Sequence, residues 1–237
     1  MIRAVMFDIG ETLITSLETE KVFQLILEEK GIKKGLAELK KAHEKATREF
    51  LKKHKDLRPP KAKDFNKIYA EWNDLIMKEL GLKQKGLGAY VNKRWFEVAG
   101  LKVYDDSAPV LRRLSGMGLR LGLVTNGYKE EIDDILAILN KKKSSGLEME
   151  MFGAIVGRDT AGAAKPDPRP FIHAAGSLGL KPDEVLFVGD RYDKDYVGAQ
   201  GAGMVPVLLL RGKPVPPEAP RNINTAETLD EIIKFIL

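Results

Sequence analysis

The chain has 237 residues, of which 43% are apolar and 31% charged, with a formal net charge of +5 and no cysteine. The length exceeds what one minimal core needs and suits a large domain or a core with an insert, and the apolar fraction excludes a chain disordered throughout. Disulfides and thiolate chemistry are excluded, and no apolar stretch approaches the ~18 residues of a spanning helix, so no membrane partner is expected.

The first predicted element is the apolar run Ala4 to Ile9, suited to a strand buried on both faces. It begins within three residues of the N-terminus, which leaves no room for a signal peptide; with the absent cysteines this points to the cytoplasm. From about Thr15 to Gly100 the pattern is helical only. Thr15-x-x-Glu18 resembles a capping box opening a helix with Val22, Phe23, Ile26 and Leu27 on one face. A second helix carries Leu39, Ala42, Ala46 and Phe50, with His43 and His54 along its stripe, and Pro59-Pro60 ends its connection. Ile68, Trp72, Leu75 and Ile76 mark a third helix, and Tyr90 to Val98 a fourth. Strand-like runs then return at Leu121–Thr125, Ala154–Val156, Val185–Gly189 and Val205–Leu210. The helices between them show faces such as Ile132, Ile135, Leu136, Leu139 and Phe171, Ala175, Leu178. Past the loop RGKPVPPEAP, a last helix carries Leu229, Ile232, Ile233 and Ile236.

Strands alternating with single helices predict an α/β fold, a Rossmann-like three-layer core with a parallel sheet. Residues 1–15 and 101–237 would form that core, and residues 16–100 an all-helical cap domain over the site. Lysines are spread along the helices and mixed with glutamate, as in LKKAHEKATREFLKKHKD, and Lys141-Lys142-Lys143 runs into a solvated Ser-Ser-Gly loop. No basic stripe is interleaved with aromatics, so a nucleic-acid partner is not expected. The abundance of Lys and Glu is a pattern seen in hyperthermophiles.

Ligands of open parallel sheets sit beyond the carboxyl ends of the strands, which directs attention to Asp8, Thr125-Asn126 and Gly189-Asp190. Asp8, Asp190 and Asp195 are expected to converge there. Two carboxylates about 4 Å apart repel by ~4 kcal/mol at an effective dielectric of 20, so such a group needs a cation or a proton. Oxygen donors without His or Cys point to Mg²⁺.

Four signatures occur in order: FDIGETL (Phe7–Leu13), LVTNG (Leu123–Gly127), KPDPRPF (Lys165–Phe171) and VGDRYDKD (Val188–Asp195). Together they resemble the haloacid dehalogenase superfamily, in the branch with a helical cap between the first two motifs. The resemblance implies a phosphatase acting on a small phosphorylated molecule through an aspartyl-phosphate. It makes Asp8 the nucleophile and a metal ligand, with Asp190, Asp195 and the carbonyl of Gly10 as further metal ligands. Thr125, Asn126 and Gly127 would meet the phosphate, and Lys165 would hold nucleophile and phosphoryl group against charge repulsion. Asp193 is an exposed neighbour without that role.

Position 10 departs from the pattern. Phosphatases of this family normally carry an aspartate there as general acid and base, a contribution of ~10²–10⁴ in rate. Gly10 has no side chain to replace it, and glycine at this position is a candidate for positive φ. Glu11 stands where the family commonly has glycine, and its carboxylate is one candidate surrogate acid; the cap and the substrate are others. A 2-haloacid dehalogenase and a non-catalytic phospho-ligand binder are the alternative readings.

Overall fold

The computed structural model describes residues 1–54, 65–141 and 146–236, so that Pro59-Pro60 and Lys142-Lys143 lie outside the described residues. Met1–Thr15 with Lys102–Leu237 make one compact unit, and Ser16–Leu101 make a second. In chain order, β1 (Ala4–Phe7) and the short β2 (Ile14–Thr15) precede four helices: α1 (Thr19–Glu28), α2 (Leu36–His54), α3 (Phe65–Glu79) and α4 (Leu87–Val98). Then come β3 (Lys102–Val103), α5 (Ser107–Gly116), β4 (Arg120–Val124), α6 (Lys129–Lys141), β5 (Ala154–Val156), α7 (Arg158–Ala161) and α8 (Arg169–Ser177). The chain finishes through β6 (Val185–Gly189), a π-turn over Tyr192–Tyr196, α9 (Val197–Gly201), β7 (Val205–Leu209), β8 (Thr225–Ala226) and a 3₁₀ stretch over Leu229–Phe235.

The first unit is an α/β layer structure around a parallel sheet in the order β5-β4-β1-β6-β7-β8. All four residues of β1 are fully buried, which explains its unbroken apolar run: an interior parallel strand has helices on both faces and no solvent side. Phe171 of α8 packs edge-on against Phe187 of β6, ring centroids 4.8 Å apart, in a core with Met6, Val124 and Val156. Phe7 pairs with Leu123 on one side and Val188 on the other, so Asp8 comes level with Val124 and Gly189. Because every strand runs the same way, the three motif-bearing loops leave the sheet at one edge.

Two features of this unit depart from the sequence reading. Thr15 does not open a helix: it closes β2, which pairs antiparallel with β3 (Thr15 opposite Lys102). Its hydroxyl donates to Glu11 at 3.1 Å, and α1 starts at Thr19 without a side-chain cap from Glu18. Long-range strand pairing here overrides a local capping pattern. The last helix is 3₁₀ rather than α, though Leu229, Ile232 and Ile233 are buried as the pattern required.

Among its described residues the second unit has α1 to α4 as its regular elements. α1 buries Val22, Phe23, Ile26 and Leu27, and α2 buries Leu39, Ala42, Ala46 and Phe50. The buried stripe of α3 is Tyr69, Asn73, Ile76 and Met77, rotated from the expected face, with Ile68, Trp72 and Leu75 only half-buried. The cause is α4, whose first turn approaches so closely that a Cβ on Gly88 would lie 2.7 Å from the Ala70 carbonyl. Asn73 donates to the Gly88 carbonyl at 3.4 Å and Asp74 accepts its N–H at 3.0 Å, so polar residues follow the contact. His43 sits 3.5 Å from Glu20 between the rings of Phe23 and Trp72. His54 stacks on Phe50 at 4.2 Å and meets Glu71 at 3.2 Å. Both histidines are thereby engaged inside the helical unit.

Candidate active site

Asp8 follows β1 directly, Asp190 follows β6, and Asp195 is delivered by the π-turn that succeeds it, a device recurrent at functional sites. Asp195 N–H bonds the Arg191 carbonyl at 2.8 Å while its Oδ2 accepts the Arg191 N–H at 3.0 Å, which fixes the carboxyl orientation. Gly189 makes the position available, since a Cβ there would come within 2.5 Å of Asp195 Cγ. One oxygen from each of Asp8, Asp190 and Asp195 lies within 4.8 Å of the others. Asp193 is exposed and paired with Arg191 at 3.0 Å, outside the group.

Lys165 reaches this cluster from the loop before α8. Its Nζ donates to Asp8 Oδ1 at 2.6 Å and to the Val124 carbonyl at 2.9 Å, and lies 2.6 Å from Asp195 Oδ1, with the side chain 2% exposed. Asn126 anchors the lysine backbone: its Oδ1 accepts the Lys165 N–H at 2.7 Å and its Nδ2 donates to the Lys165 carbonyl at 3.0 Å. The Asn126 side chain is thus committed to holding Lys165, a role the sequence did not suggest. The Gly127 N–H donates to Thr125 Oγ1 at 3.1 Å, shaping the turn after β4 and leaving that hydroxyl hydrogen free to donate.

The electrostatics report a deficit of positive charge. Burial pushes the Asp8 carboxyl up from 3.8 to about 6; Lys165 opposes this, while Asp195 and Asp190 add to it. Burial likewise raises Asp190, against the pull of Lys213. For Lys165, burial works against the charged form, yet Asp195 and Asp8 outweigh it and raise the ammonium above its ordinary value. An all-oxygen group of three carboxylates around one fixed ammonium fits a small hard dication.

The raised Asp8 has a consequence for stability. Between pH of about 4 and 6 the folded protein keeps a proton that the unfolded chain releases, so this group makes stability fall as pH rises through that window. In EDTA, Asp8→Asn should therefore gain in Tm relative to the parent as pH goes from about 4 to 7. A Tm difference that stays flat over this range would mean that Asp8 ionises normally in the folded state.

Position 10 differs from expectation. Gly10 lies outside the left-handed region, and a Cβ there would meet nothing within 4 Å. The left-handed residue is Glu11, φ 55, which together with Arg211, φ 48, is the only non-glycine of positive φ among the described residues. Two hydrogen bonds hold the Glu11 carboxylate, from Tyr104 Oη at 2.8 Å and from Thr15 Oγ1 at 3.1 Å. Arg211 stacks on the Tyr104 ring at 3.7 Å, bonds the Thr12 carbonyl at 2.6 Å and pairs with Asp106 at 2.9 Å. The turn after Asp8 is thus clamped by two distant residues, Tyr104 and Arg211, and by the nearer Thr15, with strain of order 1–3 kcal/mol per left-handed residue sustained by the clamp. Glu11 serves this clamp through both of its hydrogen bonds.

Three residues near the site carried no assigned role in the sequence reading. Thr12 is fully buried with Oγ1 3.5 Å from Asp8 Oδ2, the outer limit of a hydrogen bond. Tyr104 meets Glu11, and Lys213 meets Asp190 at 3.2 Å. Only Thr12 lies inside a recognisable motif; no local pattern marks the other two.

A family model described as haloacid dehalogenase-like hydrolase matches residues 2–203. A protein of Methanopyrus kandleri named glyceraldehyde 3-phosphate phosphatase is 34% identical over 220 residues, covering 90% of this chain and 86% of that one. A protein of the same name from Methanocaldococcus jannaschii is 30% identical, covering 99% and 98% of the two chains. The crystal structure of a HAD phosphatase from Thermococcus onnurineus superposes with a TM-score of 0.62 at 26% identity, covering 99% and 98%.

Proposed function

The chain belongs to the haloacid dehalogenase-like hydrolases and is a phosphatase of that family, and from this premise we propose that it hydrolyses a small phosphorylated molecule with the help of Mg²⁺. The observation that carries the proposal is the group of Asp8, Asp190 and Asp195 with Lys165 against two of them. Those three carboxylates and the Gly10 carbonyl would hold the cation. When bound, Mg²⁺ supplies positive charge to the carboxylates and to the phosphoryl oxygens. Asp8 attacks phosphorus through a carboxylate oxygen; the new P–O bond forms as the ester P–O bond breaks, and the alcohol departs. Water then attacks the aspartyl-phosphate, releasing inorganic phosphate and restoring Asp8. Lys165 keeps the Asp8 carboxylate in place beside Asp195 and offsets their repulsion. The Thr125 hydroxyl and the backbone N–H of Asn126 would meet the phosphoryl group.

With glycine at position 10 and Glu11 held by Tyr104 and Thr15, the leaving oxygen takes its proton from elsewhere. Substrates with good leaving groups need little protonation and should react fastest. We assign Ser16–Leu101 as the helical cap domain. Glyceraldehyde 3-phosphate heads the set of substrates to try, on the names of the two archaeal relatives.

The test is a panel of phosphate esters, with an activated aryl phosphate and 2-chloropropionate included, assayed in Mg²⁺ and in EDTA. Phosphate release is expected in Mg²⁺ and should fall at least about tenfold in EDTA. Equal turnover in EDTA would remove the metal from the reaction, and chloride release would replace phosphatase chemistry with dehalogenation.

A further inference from the structure

Lys165 is accounted for by the nucleophile, but Lys213 has no part in the chemistry above. It lies in the loop after β7, and its ammonium donates to Asp190 Oδ2 at 3.2 Å. Two lysines therefore face the three clustered acids, and they differ in freedom. The Lys165 side chain is 2% exposed and tied to Asp8, Asp195 and the Val124 carbonyl. The Lys213 side chain is 53% exposed, whereas its partner Asp190 is only 10% exposed.

A dication among these acids would place two positive charges beside the Lys213 ammonium. Lys165 is locked and also neutralises Asp8 and Asp195, so it stays. Lys213 sits on a flexible four-carbon stem with half of its side chain in solvent, so its ammonium can leave Asp190 and be hydrated at small cost. We propose that Lys213 is a displaceable counter-cation for Asp190, which neutralises that carboxylate until a divalent cation takes its oxygen and which sets the affinity of the site by competing for it. The inference rests on the Mg²⁺ reading above.

The exposed Lys213 ammonium is screened by salt, so its competition with a dication for Asp190 is modest. Removing the ammonium should tighten cation binding about three- to tenfold at low ionic strength, with the gap narrowing at high ionic strength. The experiment is calorimetric titration of Mg²⁺ into the whole metal-stripped protein, comparing the parent with Lys213→Met, Lys213→Arg and Lys234→Met. Lys234 is equally exposed, at 53%, and also pairs with a carboxylate, Glu231, so its loss controls for net charge. Lys213→Met alone should bind more tightly, while Lys213→Arg keeps the parent affinity. The Tm of Lys213→Met should also rise further on adding Mg²⁺ than that of the parent. Parent affinity in Lys213→Met, or equal tightening in Lys234→Met, overturns the role of Lys213 and leaves the metal site standing. A parent protein that binds no Mg²⁺ overturns both.

Discussion

Asp8→Asn should leave a folded protein whose turnover of phosphate esters is lower by about 10⁴-fold or more, the scale on which removal of a covalent nucleophile acts. An amide has nearly the shape of the carboxyl group but is neither a nucleophile toward phosphorus nor an anionic ligand. The fold should tolerate the change because Lys165 retains Asp195 and the Val124 carbonyl as partners. The variant also lightens a crowded negative site, since burial and the two other acids already push Asp8 up to about 6. Steady-state assays at saturating Mg²⁺ beside a melting curve make the measurement. Residual activity above about a hundredth of the parent would mean that another group attacks phosphorus.

Gly10→Asp should increase the rate, and selectively. The substituted position already lies outside the left-handed region, and its Cβ would enter open space, so neither strain nor collision opposes the change. Glu11 is held by Tyr104 and Thr15. The new carboxyl would join a neighbourhood already rich in negative charge, which favours its protonated form and suits a general acid. A positioned acid and base contributes ~10²–10⁴, most where the leaving group is poor. kcat/KM for an alkyl phosphate should therefore rise by at least about tenfold, and for an activated aryl phosphate by much less. A stable Gly10→Asp protein with no gain on the alkyl ester would show that the site does not lack an acid and that another group already supplies the proton.

Much of this site was legible in the sequence because parallel strands obey a simple rule: each ends at the same edge of the sheet, so residues just after the apolar runs meet. Asp8 and Asp190 follow their strands at once, and the register Phe7–Val188 brings Asp8 level with Gly189, the residue before Asp190. The order of four short motifs carried the family, and the helical periods of α1 and α2 identified their buried faces residue for residue. These are local signals, in which the spacing along the chain is itself the structural information.

What the tertiary structure decided involves residues brought together from far apart. The Thr15-x-x-Glu18 pattern reads as a helix start until Thr15 finds Lys102 across a strand pair. Glu11 looks like a stray acid near Asp8 until Tyr104, 93 positions later, accounts for its carboxylate. The positive φ falls on Glu11 rather than Gly10, because the clamp through Tyr104, Arg211 and Thr12 sustains a strain that glycine would have avoided. Asn126 holds the backbone of Lys165 across 39 residues, and Lys213 meets Asp190 across 23. None of these pairs shares a period or a motif. Their partners are chosen by which loops the packed sheet and helices bring to one edge, and that choice exists only once the chain has folded.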